Sequence, residues 1–219
     1  MSLEKYKVFN LIEDVTELRV LLILESPYIN EYIHQHPAAG ESALELTQFL
    51  IAQGYLKSFD AQLPIGCNIK KQHYKPLGIL NCSTLPMNKA FYPCALNNAD
   101  LLQVNQLAAI KQYFVQSSLN KGDEEPQTTA NKILENDFLN NLIFRDFKFR
   151  LTQVLEQAPS DVLIVPCGDT ATGFINAFKA IYNKSLIVLD GLPHPTEPDW
   201  AEKITNINLT DRIAPKLLP

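Results

Sequence analysis

Three short clusters in this 219-residue chain carry residue types able to do hydrolytic chemistry: Glu25-Ser26-Pro27-Tyr28, Asn81, and His194-Pro195-Thr196. A carboxylate such as Glu25 can orient water or stabilise a developing cation, and an imidazole such as His194 can donate to an oxyanion or leaving group. The Asn81 amide offers a donor and an acceptor side by side, the pair needed to read the edge of a heterocycle. Each residue also has a structural use. Glu25 could cap a helix or pair with a lysine, Asn81 could satisfy backbone groups in a turn, and His194, set between Pro193 and Pro195, could be fixed by loop geometry alone. What sets them apart is their position relative to the strands.

The elements that must hold them alternate between strand and helix, the order of parallel strands joined by crossover helices. A first strand is predicted over Arg19 to Leu24, apolar as a strand buried on both faces would be. After a polar, histidine-rich loop, a helix runs from Ser42 to about Gln53, where Ser42 and Glu45 have capping-box spacing and Gly54 supplies a stop. Asp60 to Pro76 reads as irregular, with Pro64, Gly66 and Pro76 as breakers. A second strand covers Gly78 to Asn81. A helix follows from Asp100 to Val115, then a polar loop at Asn120 to Gln127, and helical periodicity from Thr129 to Gln157 with a break expected near Asn140-Asn141. The third strand is Val162 to Val165, followed by a turn at Gly168 and a helix through Phe174, Ile175 and Phe178; the fourth is Ser185 to Leu189. In such open sheets, ligands bind at the carboxyl ends of the strands. The first strand delivers Glu25, the second Asn81, the third Gly168-Asp169 and the fourth the His194 loop, so polar groups converge where a site would lie. The expected fold is a three-layer α/β/α domain spanning residues 1–219, with a four-stranded, mainly parallel central sheet.

The order of these motifs resembles the uracil-DNA glycosylase superfamily. Members have a strand ending in a short proline-containing motif, a glycine-containing loop opening a helix, a strand ending in asparagine, and a histidine motif close to H-P-S. Here those places hold Leu24-Glu25-Ser26-Pro27-Tyr28, Gly40-Glu41-Ser42, Gly78-Ile79-Leu80-Asn81 and His194-Pro195-Thr196. The resemblance implies removal of a damaged or deaminated base by hydrolysis of its N-glycosidic bond, with DNA, single- or double-stranded, as partner. It implies that Glu25 positions water, that Asn81 reads the base, and that His194 stabilises the leaving group, with Ser26, Pro27, Tyr28, Pro195 and Thr196 around the base. Tyr28 or Phe91 would stack on it. The chain departs from the pattern at Ser26, where many members carry Asp or Asn. Two other readings stay open: a nucleic-acid-binding member without catalysis, and a hydrolase of a free nucleoside or other small molecule.

Hydrophobic residues at 46% and charged residues at 20% are those of a globular protein, and no apolar run reaches membrane-spanning length. The N-terminus, with Glu4, Lys5 and Lys7, lacks the apolar core of a signal peptide, so a cytoplasmic location is expected. Cys67, Cys82, Cys94 and Cys167 are scattered without a C-x-x-C pair, which argues against an iron–sulfur cluster or a zinc turn; no metal or organic cofactor is expected. A net charge of −5 gives no global attraction for a polyanion. Phosphate contacts would have to be local, from Lys70, Lys71, His73 and Lys75. The run Arg145, Phe147, Lys148, Phe149, Arg150 reads instead as an amphipathic helix with a solvated face. The loop Thr196 to Trp200 could wedge into a duplex, although its two acids would repel phosphate.

Overall fold

A computed structural model describes residues 3–52, 54–119, 138–189 and 192–195 of the chain. Its centre is a four-stranded sheet of β1 (Val20–Leu24), β2 (Leu77–Asn81), β3 (Leu163–Pro166) and β4 (Ile187–Val188), in the order β2-β1-β3-β4 with every pair parallel. All residues of β1, β2 and β3 are buried, as their unbroken apolar runs predict for strands covered on both faces. An antiparallel bridge from Leu11 to Ile79 covers the outer edge of β2, so that strand does not end the sheet as an open template.

Helices cover both faces. On one lie α2 (Glu41–Ala52) and α3 (Ile65–Gln72); on the other α4 (Asn98–Leu119), α5 (Phe138–Gln157) and α6 (Asp169–Ile181), and the short α1 (Ile29–His34) follows β1, with Tyr32 packed against the core on the side of α4, α5 and α6. Alternation along the strands divides the core accordingly. Val20, Leu22, Leu24, Leu77 and Ile79 pack with Leu46 and Leu50 of α2 and Ile65 and Ile69 of α3. Leu21, Ile23 and Leu80 pack with Phe114, Phe144, Phe147, Phe174 and Phe178 from α4, α5 and α6. These five phenylalanines are at most 1% exposed, and each contributes about 2–3 kcal/mol of burial free energy. The expected three-layer architecture is therefore the observed one.

The helical content exceeds the sequence expectation in two places. The histidine-rich loop after β1 contains α1, and the segment Asp60 to Pro76 contains the eight-residue α3. Pro64 precedes α3 at its N-cap, where a missing N–H costs nothing, and Gly66 sits in its first turn, so residues taken as breakers mark a helix start. The α2 helix begins at Glu41, one residue ahead of the expected Ser42, which places Ser42 and Glu45 inside the helix rather than at its cap. Helix α5 continues through Asn140-Asn141 without a break; the expected helical stretch from Thr129 to Asp137 lies outside the described residues. No helix among the described residues is long and apolar enough to cross a membrane.

Candidate active site

The chain leaves β1 for β2 on one side and returns to β3 on the other, so strand order reverses between β1 and β3, where open α/β sheets bind ligands. A cavity of about 430 Å³ lies at this end. Its wall brings together Leu24, Ser26, Tyr28, Phe91, His194 and Pro195, with Glu31 from α1 and Ser42 and Glu45 from α2. Two of the three sequence clusters thus meet across some 170 residues of chain. Thr196 lies outside the described residues.

The first cluster is held by backbone bonds. Ser26, 2% exposed, accepts from the Met87 N–H at 3.3 Å, which ties the end of β1 to the loop after β2. Pro27 is buried behind it. The Tyr28 N–H donates to one oxygen of Glu31 at 2.9 Å, and the Ala38 N–H donates to the other. One carboxylate therefore clamps both ends of the loop around α1, and burial pushes its pKa up to about 7. The Tyr28 and Phe91 rings lie 4.2 Å apart at 36° and make an aromatic wall, with the His194 ring 6.2 Å from Tyr28.

Glu25 points elsewhere. It follows Leu24, so its side chain turns to the opposite face of the sheet, towards α4 and α6. There Lys111 Nζ of α4 lies 2.7 Å from one carboxylate oxygen, and the Thr170 hydroxyl of α6 donates to the other at 2.9 Å. Glu25 is 6% exposed and is not part of the cavity wall. The ion pair is the lysine partnership that sequence left open. Lys111 carried a legible signal: it lies four residues after Leu107 and three before Phe114, inside the buried stripe of α4, where an unpaired lysine would be costly. Thr170 carried none.

Asn81 is paired in register with Leu24, on the same face of the sheet as this cavity-lining residue. It is 2% exposed, and neither its amide nitrogen nor its amide oxygen has a hydrogen-bond partner among the described residues. Buried side-chain amides are nearly always satisfied, so this donor–acceptor pair is open to a partner such as water or a ligand; Asn81 itself is not among the residues of the cavity wall. Its backbone is firmly held. Arg150 of α5, 9% exposed, donates to the carbonyls of Asn81 at 2.9 Å and Cys82 at 3.0 Å, to the Asn10 side chain at 2.9 Å and to Asp146 at 2.8 Å. The expected solvated face of this helix therefore holds only in part: Arg145, Lys148 and Phe149 are exposed, but Arg150 is a buried support of β2. Its spacing, three residues beyond the core residue Phe147, was the available signal.

His194 reaches the cavity because its loop folds back along β3. Cys167 and Leu192 form a parallel bridge, and the Gly168 N–H donates to Leu192 O at 2.8 Å. Gly168 has φ 85° and ψ 167°, a region essentially closed to other residues. A Cβ there would lie 2.8 Å from His194 Cβ. Gly168 thus lets the histidine loop pass directly over the start of α6; no side-chain cap accompanies it.

The expected basic contacts are placed differently. Lys75 and His73 lie at the amino end of β2, away from the cavity, and are engaged by acids: His73 with Glu13 at 2.8 Å, and Lys75 with Glu17 at 2.8 Å and Asp14 at 3.5 Å. Lys71 is 3.7 Å from Asp60. Strand polarity separates this cluster from the carboxyl ends where the cavity forms. Scanned against protein-family models the chain matches none, and a search of curated proteins finds no significant relative.

Proposed function

We propose that the cavity binds a nucleobase and that the protein hydrolyses the N-glycosidic bond of a damaged or deaminated base in DNA, as a divergent uracil-DNA glycosylase. The observation that carries this reading is the orphaned Asn81 amide, buried at a strand end and facing the side of the sheet on which the cavity opens. A base edge carrying one acceptor and one donor would satisfy both atoms, recovering about 1–3 kcal/mol per group otherwise lost to desolvation. The aromatic wall of Tyr28 and Phe91 suits a flat ring, and His194 approaches from a third element, where it would donate to a base oxygen as negative charge develops on the departing base. Glu25, held by Lys111 and Thr170 on the opposite face of the sheet and absent from the cavity wall, has no contact with base or water in this scheme; it anchors the end of β1 that carries Ser26 and Tyr28.

A second reading, base binding without hydrolysis, is favoured by one observation: both Glu25 oxygens are already engaged, and Ser26 in the cavity wall is a weak activator of water. Single-turnover incubation with oligonucleotides bearing uracil, hypoxanthine or xanthine distinguishes the two. Release of free base supports hydrolysis, whereas retention of intact oligonucleotide with saturable, salt-dependent binding supports the binding module. Cleavage of free nucleosides without DNA binding would move the substrate class to small molecules, which the exposed Glu41 at the cavity rim and the net charge of −5 would suit.

A further inference from the structure

The scattered cysteines rule out a C-x-x-C metal turn, but the fold gathers one of them with two histidines. His34 is the last residue of α1, and Gln35, at φ 57°, turns the chain so that His36 comes back beside it. Cys67 lies in the first turn of α3. The ligand atoms of His34, His36 and Cys67 all fall within 4.8 Å of one another.

We propose that His34, His36 and Cys67 form a binding site for a zinc-type divalent metal, with a fourth position open to solvent beside the exposed His34. Cys67 Sγ is 3.8 Å from His36 Nε2. Donor atoms around a tetrahedral zinc, with metal–nitrogen and metal–sulfur bonds of about 2.0–2.3 Å, stand roughly 3.3–3.7 Å apart, so the pair needs only a slight contraction. The tautomer is also the required one. His36 Nδ1 lies 3.1 Å from the Pro37 carbonyl, which can only accept, so Nδ1 carries the proton and Nε2 presents its lone pair towards the thiol. A backbone carbonyl orienting a ligating imidazole is the usual outer support of such a metal. Ligation releases the Cys67 thiol proton to solvent, leaving the thiolate on the metal.

The two ligand-bearing segments are already docked. The Gly66 N–H donates to Ala38 O at 3.0 Å, and a Cβ on Gly66 would lie 2.0 Å from Pro37 O, so only glycine lets α3 begin this close to the loop. A metal here would fasten the loop that runs from His36 through the cavity-lining Ala38 to Gly40, stiffening one wall of the candidate active site. The proposal does not depend on base excision, because its readout is metal binding.

The test is titration of chelator-treated full-length protein with Zn(II) by calorimetry and with Co(II) by absorbance. The expected result is one tight equivalent and a near-ultraviolet thiolate-to-cobalt charge-transfer band. Cys67→Ser should abolish the band, and His34→Ala, at an exposed position that folding tolerates, should weaken binding at least tenfold. Cys94→Ser, at an exposed thiol outside the cluster, should change neither. A band that survives Cys67→Ser, affinity unchanged in His34→Ala, or no binding by the folded wild type would each overturn the site.

Discussion

Glu25 and Lys111, 86 residues apart in sequence, form an ion pair of 2.7 Å at the carboxyl end of β1, with the glutamate almost wholly buried and the lysine about one-third exposed. The pair joins the central strand to α4 at the point where strand order reverses. Removing only the lysine leaves a buried carboxylate with Thr170 as its remaining partner. Lys111→Ala should therefore cost about 1–3 kcal/mol, and Glu25→Gln combined with Lys111→Ala should cost less than the sum of the two single changes. Urea denaturation of the four proteins in this cycle measures the coupling; additive effects would show that the contact contributes nothing.

The Asn81 amide gives a prediction of opposite sign. Replacing it by a residue of similar volume without polar atoms removes two unsatisfied groups from the core. Asn81→Leu should raise stability by about 1–2 kcal/mol in the free protein while abolishing base binding or release. A destabilised Asn81→Leu variant would mean that the amide has partners in the folded protein after all.

Gly168 is predicted to act through His194. Gly168→Ala strains a backbone at φ 85° and drives a methyl group into His194 Cβ, at a cost of about 1–3 kcal/mol. The histidine loop must shift, so activity should fall further than stability does. Comparing unfolding midpoints with initial rates separates the two effects, and equal activity per folded molecule would detach Gly168 from the site.

The loop clamp of Glu31 should be visible as a pH dependence. Burial raises its folded-state pKa to about 7 from an ordinary value of 4.5, so the folded protein binds a proton that the unfolded chain releases across that interval. The contribution is present in full below pH 4.5 and is lost as pH rises through 7, amounting to about 3 kcal/mol. Urea midpoints between pH 4.5 and 8 should fall accordingly, and Glu31→Gln should flatten the dependence. A slope unchanged in Glu31→Gln would assign it to other groups.

The sheet was legible in sequence because apolar runs such as Val20–Leu24 can be little else, and the strand ends pointed to where a site would form. The convergence of Ser26, Tyr28 and His194 on one cavity follows from that placement. Side-chain direction was not legible. Whether Glu25 joins Asn81 on one face depends on the parallel register that pairs Leu24 with Asn81, which no local pattern encodes. Helix α1 was missed because its six residues lie in a polar, histidine-rich run, and α3 because it is short and begins among residues read as breakers; Pro64 and Gly66 serve there as a helix start and a close approach. The His34, His36 and Cys67 cluster was hidden for a related reason: its ligands are neighbours only once α3 docks on the loop after α1.

The most direct measurement is base release from oligonucleotides carrying uracil, hypoxanthine or xanthine, single- and double-stranded, by the wild-type protein and by His194→Ala. At least one of these bases should be freed by the wild type, and the rate should fall at least 100-fold in the variant, in keeping with loss of a hydrogen bond to the departing base. Intact oligonucleotides across the whole panel, or release that persists unchanged in His194→Ala, would contradict the proposed base excision.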